Sequence, residues 1–191
     1  LLERILYEAR RFTRADAGTL FLVEGGHLNF EIAQNDTLHS FMVGRSGGNN
    51  VPPVPINKGS VCGYAAVTGE ILNIEDVYTD TEYRFEGPKQ YDKLSGYHTT
   101  SMLGVPMKDH EGEIIGVLQL INSTDPGTGE VTAFTAADEA LIQSLASQAA
   151  VAIENVYLIG EMEKLFESFV QVMATAIDER SPYTGGHIKR V

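Results

Sequence analysis

Tryptophan is missing from this 191-residue chain, and cysteine occurs once, as Cys62. A lone thiol forms no intramolecular disulfide and supplies no cysteine set for zinc, and it fits a reducing cytoplasm. Basic residues are scarce too, 14 Lys and Arg against 26 Asp and Glu, for a formal net charge of -12. Binding a nucleic-acid backbone needs a basic stripe that displaces counterions, so this balance argues against such a partner. No apolar run approaches the roughly 20 residues that span a bilayer. The opening residues lack the basic start, apolar middle and small-residue cleavage site of a signal peptide. The composition therefore predicts a cytoplasmic protein that engages neither nucleic acid nor membrane.

What is present is an ordinary globular mixture, 43% hydrophobic and 21% charged, enough for one packed domain and an appendage. Leu2, Ile5, Leu6, Ala9 and Phe12 recur at helical spacing, which predicts a helix ending near Asp16. Thr19 to Val23 and Leu28 to Ala33 are rich in strand formers and flank Glu24-Gly25-Gly26-His27, a hairpin signal. From Asn35 to Pro55 the chain turns to Gly, Asn and Pro, which predicts a loop. Ser60 to Gly69 reads as a short helix with Ser60 as N-cap and Gly69 past its end, and Glu70 to Ile74 as a strand.

The stretch Glu75 to Thr100 is polar, irregular and aromatic, carrying Tyr78, Tyr83, Phe85, Tyr91 and Tyr97. An irregular segment of that length inside a domain is commonly functional, and a lid is expected. Met102 to Met107 and Glu113 to Ile121 form a second hairpin around Asp109-His110-Glu111-Gly112. Thr135-Ala136-Ala137-Asp138 then opens a long helix with no proline before Pro182. Ala152, Ile159, Phe166 and Met173 repeat at seven-residue steps, with Met162, Phe169 and Ala176 three residues beyond the last three. That is the a/d seam of a parallel two-helix coil, and it predicts a homodimer through the C-terminal helix, with Gly160 as a weak point.

Between Gly59 and Asn122 three blocks stand in a specific order: Cys62-Gly63-Tyr64-Ala65-Ala66-Val67-Thr68-Gly69-Glu70-Ile71-Leu72-Asn73-Ile74, then Gly96-Tyr97-His98-Thr99-Thr100-Ser101-Met102-Leu103, then Val105-Pro106-Met107 with Ile115-Gly116-Val117-Leu118-Gln119-Leu120-Ile121-Asn122. This pattern resembles the GAF domains of cyclic-nucleotide phosphodiesterases and adenylyl cyclases. The resemblance implies an α+β fold over residues 1–158, a six-stranded antiparallel sheet with the helices of the chain ends on one face and a lidded pocket on the other. Of the family's Asn-Lys, Phe and Asp-Glu signature, Asn122, Phe134, Asp138 and Glu139 match, while Ser123 replaces the lysine. That leaves Asp138 to act as a charge at the helix start.

By the same resemblance Asp92, Ser95, Thr99 and Gln119 surround the pocket, with Cys62 and Gln34 on its wall. Their hydroxyls and amides suit a phosphate, a ribose or a base edge, and the helix beginning after Ser60 offers amides to an anion. The implied ligand is a cyclic nucleotide, cAMP or cGMP, with no cofactor required. As a residue type, a single cysteine on a short apolar helix reads more simply as core.

The last segment, Ala174 to Val191, contains Pro182-Tyr183-Thr184, Gly186-His187 and Arg190-Val191. It resembles the opening of HD-GYP phosphodiesterases, metal-dependent enzymes that hydrolyse cyclic di-GMP, with Ser181 in place of the usual aspartate. The implied organisation is a GAF sensor over 1–158, a signalling helix over 159–180 and the start of an HD-GYP domain over 181–191. His187 would be a metal-site candidate of the complete domain. His27, His39, His98 and His110 show no pair at metal-ligand spacing, and no phosphate loop, nucleophile elbow or kinase motif occurs, so no catalytic residue is expected in this chain. The expected role is a bacterial regulatory sensor. The alternatives are a ligand-free dimerisation module and a fragment with residual phosphohydrolase activity.

Overall fold

The computed structural model describes residues 1–44 and 52–180, with side chains to residue 177. Helix α1 (Leu2–Thr13) buries Ile5, Leu6 and Ala9, and ends where Arg14 takes a left-handed conformation, its N–H bonded to the Arg10 carbonyl. Strands β1 (Ala15–Glu24) and β2 (His27–Asn35) follow. Their two-residue turn, Gly25-Gly26, has φ of +61° and +76°, the paired positive values that match the twist of a tight hairpin.

The expected loop from Asn35 to Pro55 is partly strand. Strand β3 (Ser40–Val43) pairs with the end of β2, and β4 (Val54–Pro55) with its beginning. The strand formers Phe41, Met42 and Val43 are too short a run to be legible, and pairing with β2 supplies what propensity lacks.

Helix α2 (Val61–Thr68) is capped as expected: the Ser60 hydroxyl accepts from the Gly63 amide, and Gly69 closes the end. Strand β5 (Leu72–Ile74) leads into the lid, where a nine-residue helix, α3 (Gly87–Ser95), replaces part of the irregular stretch. Pro88 in its first turn and Gly96 at φ +72° after its last are the usual punctuation. Only Pro88 and Asp92 of α3 are buried, so it carries no apolar stripe for a sequence reading to find.

Strands β6 (Met102–Lys108), β7 (Ile114–Thr124) and β8 (Val131–Thr132) precede α4 (Ala136–Arg180). The sheet runs β3-β2-β1-β7-β6-β5 with every pairing antiparallel, the six-strand path that the resemblance implies, five of its strands legible in the sequence and β3 arising from the expected loop; the two-residue strands β4 and β8 add to β2 and β7.

Alternation along the strands gives the sheet two faces. On one, Leu20, Leu118 and Val105 lie in register, and α1 presses against Gly18, where an added Cβ would sit 2.9 Å from side-chain atoms of both Leu6 and Leu120. On the other, α2 brings Cys62, Ala65 and Ala66 against Phe21, Leu28 and Val117. A second cluster joins Val61, Leu72, Ile74 and Met102 to Val77 and Phe85 of the lid.

Packing divides the chain into two compact units, 1–152 and 153–191. In the first, the start of α4 buries Ile142, Ala146, Ala149 and Ala150, one helical stripe. Thr135 and Asp138 cap α4 reciprocally: the Asp138 carboxylate accepts from the Thr135 amide and hydroxyl, and the Asp138 amide donates back to the Thr135 hydroxyl. In the second unit, Val156, Ile159, Met162, Phe166 and Phe169 are exposed.

Candidate functional site

Two adjoining cavities open on the α2 face of the sheet. One, of about 250 Å³, lies among Ser60, Val61 and Cys62 at the start of α2, Gly87, Pro88 and Tyr91 of α3, and Thr99 of the lid. The other, of about 210 Å³, lies over β1, β2 and β3, among Thr19, Phe30, Ala33, Asn35, Ser40 and Met42. Phe21, Val54, Tyr91, Gln119 and Ile121 belong to both. Among the described residues, neither cavity is lined by a charged side chain.

Gln119 sits at the junction. It lies in the middle of β7, opposite Thr19 of β1 and Gly104 of β6, and is only 9% exposed. Its carboxamide has no hydrogen-bond partner among the described residues. The amide atoms face the cavity and are not sealed in packed protein as Asn73 Oδ1 is, so a group entering the cavity can take up their bonds. The first amides of α2, at Val61 and Cys62, cannot find acceptors within their own helix and suit an anion.

Cys62 does form part of the wall. Its sulfur lies 3.6 Å from the Ser60 hydroxyl, and burial pushes its pKa up, so the thiol stays neutral. Thr99 lines the first cavity while Asp92 lines neither, and the two buried residues chiefly bond each other: the Thr99 hydroxyl donates to Oδ1 of Asp92 at 2.7 Å and the Thr99 amide to Oδ2 at 2.7 Å. The Tyr78 hydroxyl adds a third donor at 2.8 Å, and this bond holds the phenol above its ordinary pKa. Asp92 is thus a clasp that fastens α3 to both ends of the lid.

Ser95 and Gln34, also named from the resemblance, differ in their relation to the cavities. Ser95 lines neither cavity; its hydroxyl donates to the Tyr91 carbonyl one turn back and accepts from the Tyr97 amide. Gln34 borders the second cavity, but its side chain belongs to the opposite face, because it pairs with Gly18, and its Oε1 accepts from Arg10 of α1 at 3.1 Å.

The signature residues brace the site from behind. Asn122, at φ +57°, accepts from the Thr100 amide and donates to the His98 carbonyl and the Tyr97 hydroxyl. Tyr97 in turn donates to Asp16 at 2.6 Å, and burial, with that carboxylate, pushes its pKa far above the usual phenol range. From sequence Tyr97 is a lid aromatic within the Gly96–Leu103 block and Asp16 only a helix end, and nothing local joins them; an asparagine ending an apolar strand is the available signal. Phe134 is buried, and its carbonyl accepts from the Asn73 amide, which also donates to Glu139 at 2.7 Å. Where the family has lysine, the Ser123 hydroxyl donates to the Thr13 carbonyl at the end of α1, so serine ties the sheet to that helix while Asp138 serves the cap of α4.

Among the described residues, no group of three or more His, Cys, Asp or Glu is placed to hold a metal ion, and no helix is long and apolar enough to cross a membrane. His187 and the rest of 181–191 lie outside the described residues, as do 45–51 of the expected loop.

Comparison with known proteins agrees with this architecture. The chain is 37% identical over 161 residues to a dual 3',5'-cyclic-AMP and -GMP phosphodiesterase 11A of Takifugu rubripes, covering 80% of this chain and 16% of that protein. It is 32% identical over 134 residues to a cGMP-specific 3',5'-cyclic phosphodiesterase of Drosophila erecta, covering 66% of this chain and 11% of that one. It therefore spans a small part of these relatives' length. Among solved structures, the GAF domain of an Acinetobacter phosphoenolpyruvate-protein phosphotransferase superposes with a TM-score of 0.59 at 18% identity, covering 82% of each chain. A GAF domain/HD domain protein of Geobacter sulfurreducens superposes with a TM-score of 0.55 at 15% identity, covering 82% of this chain and 92% of that one. The GAF domain model matches residues 1–153, and the chain belongs to the GAF domain family.

Proposed function

We propose that this GAF domain is a bacterial cytoplasmic sensor that takes a cyclic mononucleotide, cAMP or cGMP, into the paired cavities and relays its occupancy along α4 to an HD-GYP domain acting on cyclic di-GMP. The carrying observation is Gln119, nine-tenths buried and with no hydrogen-bond partner among the described residues where the two cavities meet. An amide there both donates to and accepts from a base edge. The phosphate would rest on the amides that open α2, since the neutral lining supplies no cation. Relatives named for cAMP and cGMP chemistry favour the same ligand class.

Asp92 makes the lid a single fastened piece, so ligand entry moves the lid as a unit and alters the packing at the start of α4. Two copies pair along the seam that begins at Ala152 and runs through Ile159 and Met162, and the pair transmits the change. His187 joins the metal site of the HD-GYP domain, and residues 1–191 alone have no hydrolytic activity. Calorimetry with cAMP, cGMP and cyclic di-GMP tests the reading: one of the two mononucleotides binds, and absence of binding by all three at millimolar concentration rules the nucleotide out.

A further inference from the structure

The second unit carries an apolar face that a pair of helices cannot cover. At 100° per residue, Leu165, Phe166, Phe169, Val170, Val172 and Met173, with Ala176 and Ile177, fall within an arc of about 160°. Lys164, Glu167, Ser168, Gln171 and Thr175 occupy the opposite arc of about 100°. The large apolar side chains of this face are 48% to 71% exposed. A two-stranded coil buries a and d positions, here Phe166, Phe169, Met173 and Ala176. It leaves Leu165 and Val172 on one flank, and Val170 and Ile177 on the other, in water. So wide an arc is what a helix shows when it lies against the core of a globular layer. Four copies of this chain would also cover it, but each brings a net charge of -12 to the bundle, and self-repulsion opposes that assembly.

We propose that residues 165–177 are the core-facing side of the first helix of a helical domain formed by the chain that follows, and that pairing between copies is confined to the helix before Leu165. This rests on the HD-GYP reading of residues 174–191. It replaces a continuous signalling coil with a junction: the helix leaving the sensor enters the output domain as part of its core, so a shift of the helix is felt there directly.

The test is amide hydrogen exchange on the full-length natural protein beside residues 1–191, across a wide range of protein concentration. Amides of 165–177 should exchange at least about tenfold more slowly in the longer protein, at every concentration. In that protein Phe169→Asp should abolish the protection, while Glu167→Ala on the polar arc leaves it intact. Protection that appears equally in residues 1–191 and grows with concentration overturns the proposal in favour of a bundle of copies. Absence of protection in the longer protein, or of any chain beyond Val191, overturns it outright. Metal-dependent hydrolysis of cyclic di-GMP by the longer protein is read separately: hydrolysis without protection overturns this packing and leaves the HD-GYP reading standing. Protection without hydrolysis supports the packing and overturns the HD-GYP reading.

Discussion

Asp92 in the lid and Gln119 in the cavity floor are buried almost equally, at 6% and 9% exposure, yet they are treated in opposite ways. The Asp92 carboxylate takes three donors from Thr99 and Tyr78; the Gln119 carboxamide takes none from the described residues. Folded proteins pair nearly all their buried polar groups, so the difference separates a group that completes the fold from one held ready for something outside it. The lid is finished without a ligand, and the floor is not.

The largest effect should come from breaking the finished side. Asp92→Ala leaves the buried Thr99 amide and hydroxyl without an acceptor, and is expected to cost about 3 kcal/mol in urea unfolding. Asp92→Asn should cost roughly half of that, because one carbonyl oxygen survives to accept and the new amide hydrogens face donors. Asn122→Ala comes next, at about 2 kcal/mol, through its bonds to Thr100, His98 and Tyr97. Asn122→Gly should be about 1 kcal/mol milder than the alanine, since only glycine takes the positive φ at no steric cost. If glycine proved no better, strain would not be part of the Asn122 effect. Thr135→Ala, which removes one half of the cap of α4, should cost about 1 kcal/mol by the same measurement.

Much of this was legible because it is local. The Gly25-Gly26 turn, the Ser60 cap and the Thr135 opening of α4 each rest on residues within four positions of one another, and each appears as read. What escaped depends on distant partners. Strand β3 exists because β2 is there to pair with it, and α3 packs too little of its surface to show a stripe. The faces of Gln34 and Gln119 depend on strand parity, and a bulge between Leu20 and Phe21 shifts the β1-β2 register in a way no alternation pattern announces. The family resemblance points to both glutamines alike, and only register decides that one bonds Arg10 while the other faces the cavity. Likewise, the resemblance sets Asp92 and Thr99 around a pocket as separate groups; the fold brings them within hydrogen-bond reach of each other, where each satisfies the other.

The smallest effect on stability is the sharpest test of the comparison. Gln119→Leu roughly keeps the volume of the side chain and removes an amide whose atoms face the cavity and take no bond from the described residues, so unfolding free energy should change by less than about 0.5 kcal/mol, or rise. Affinity for whichever cyclic mononucleotide binds should fall about tenfold or more in calorimetry, since a base edge left facing leucine loses its bonds and keeps its desolvation cost. Asp92→Asn supplies the contrast: its loss of affinity should follow its loss of stability, because it acts by loosening the lid. Should Gln119→Leu destabilise the chain as much as Asp92→Ala does, the amide has a partner in solution and the two sites are alike. Should it leave both stability and affinity unchanged, the floor is unfinished for some other ligand, one that reaches the cavity without touching β7.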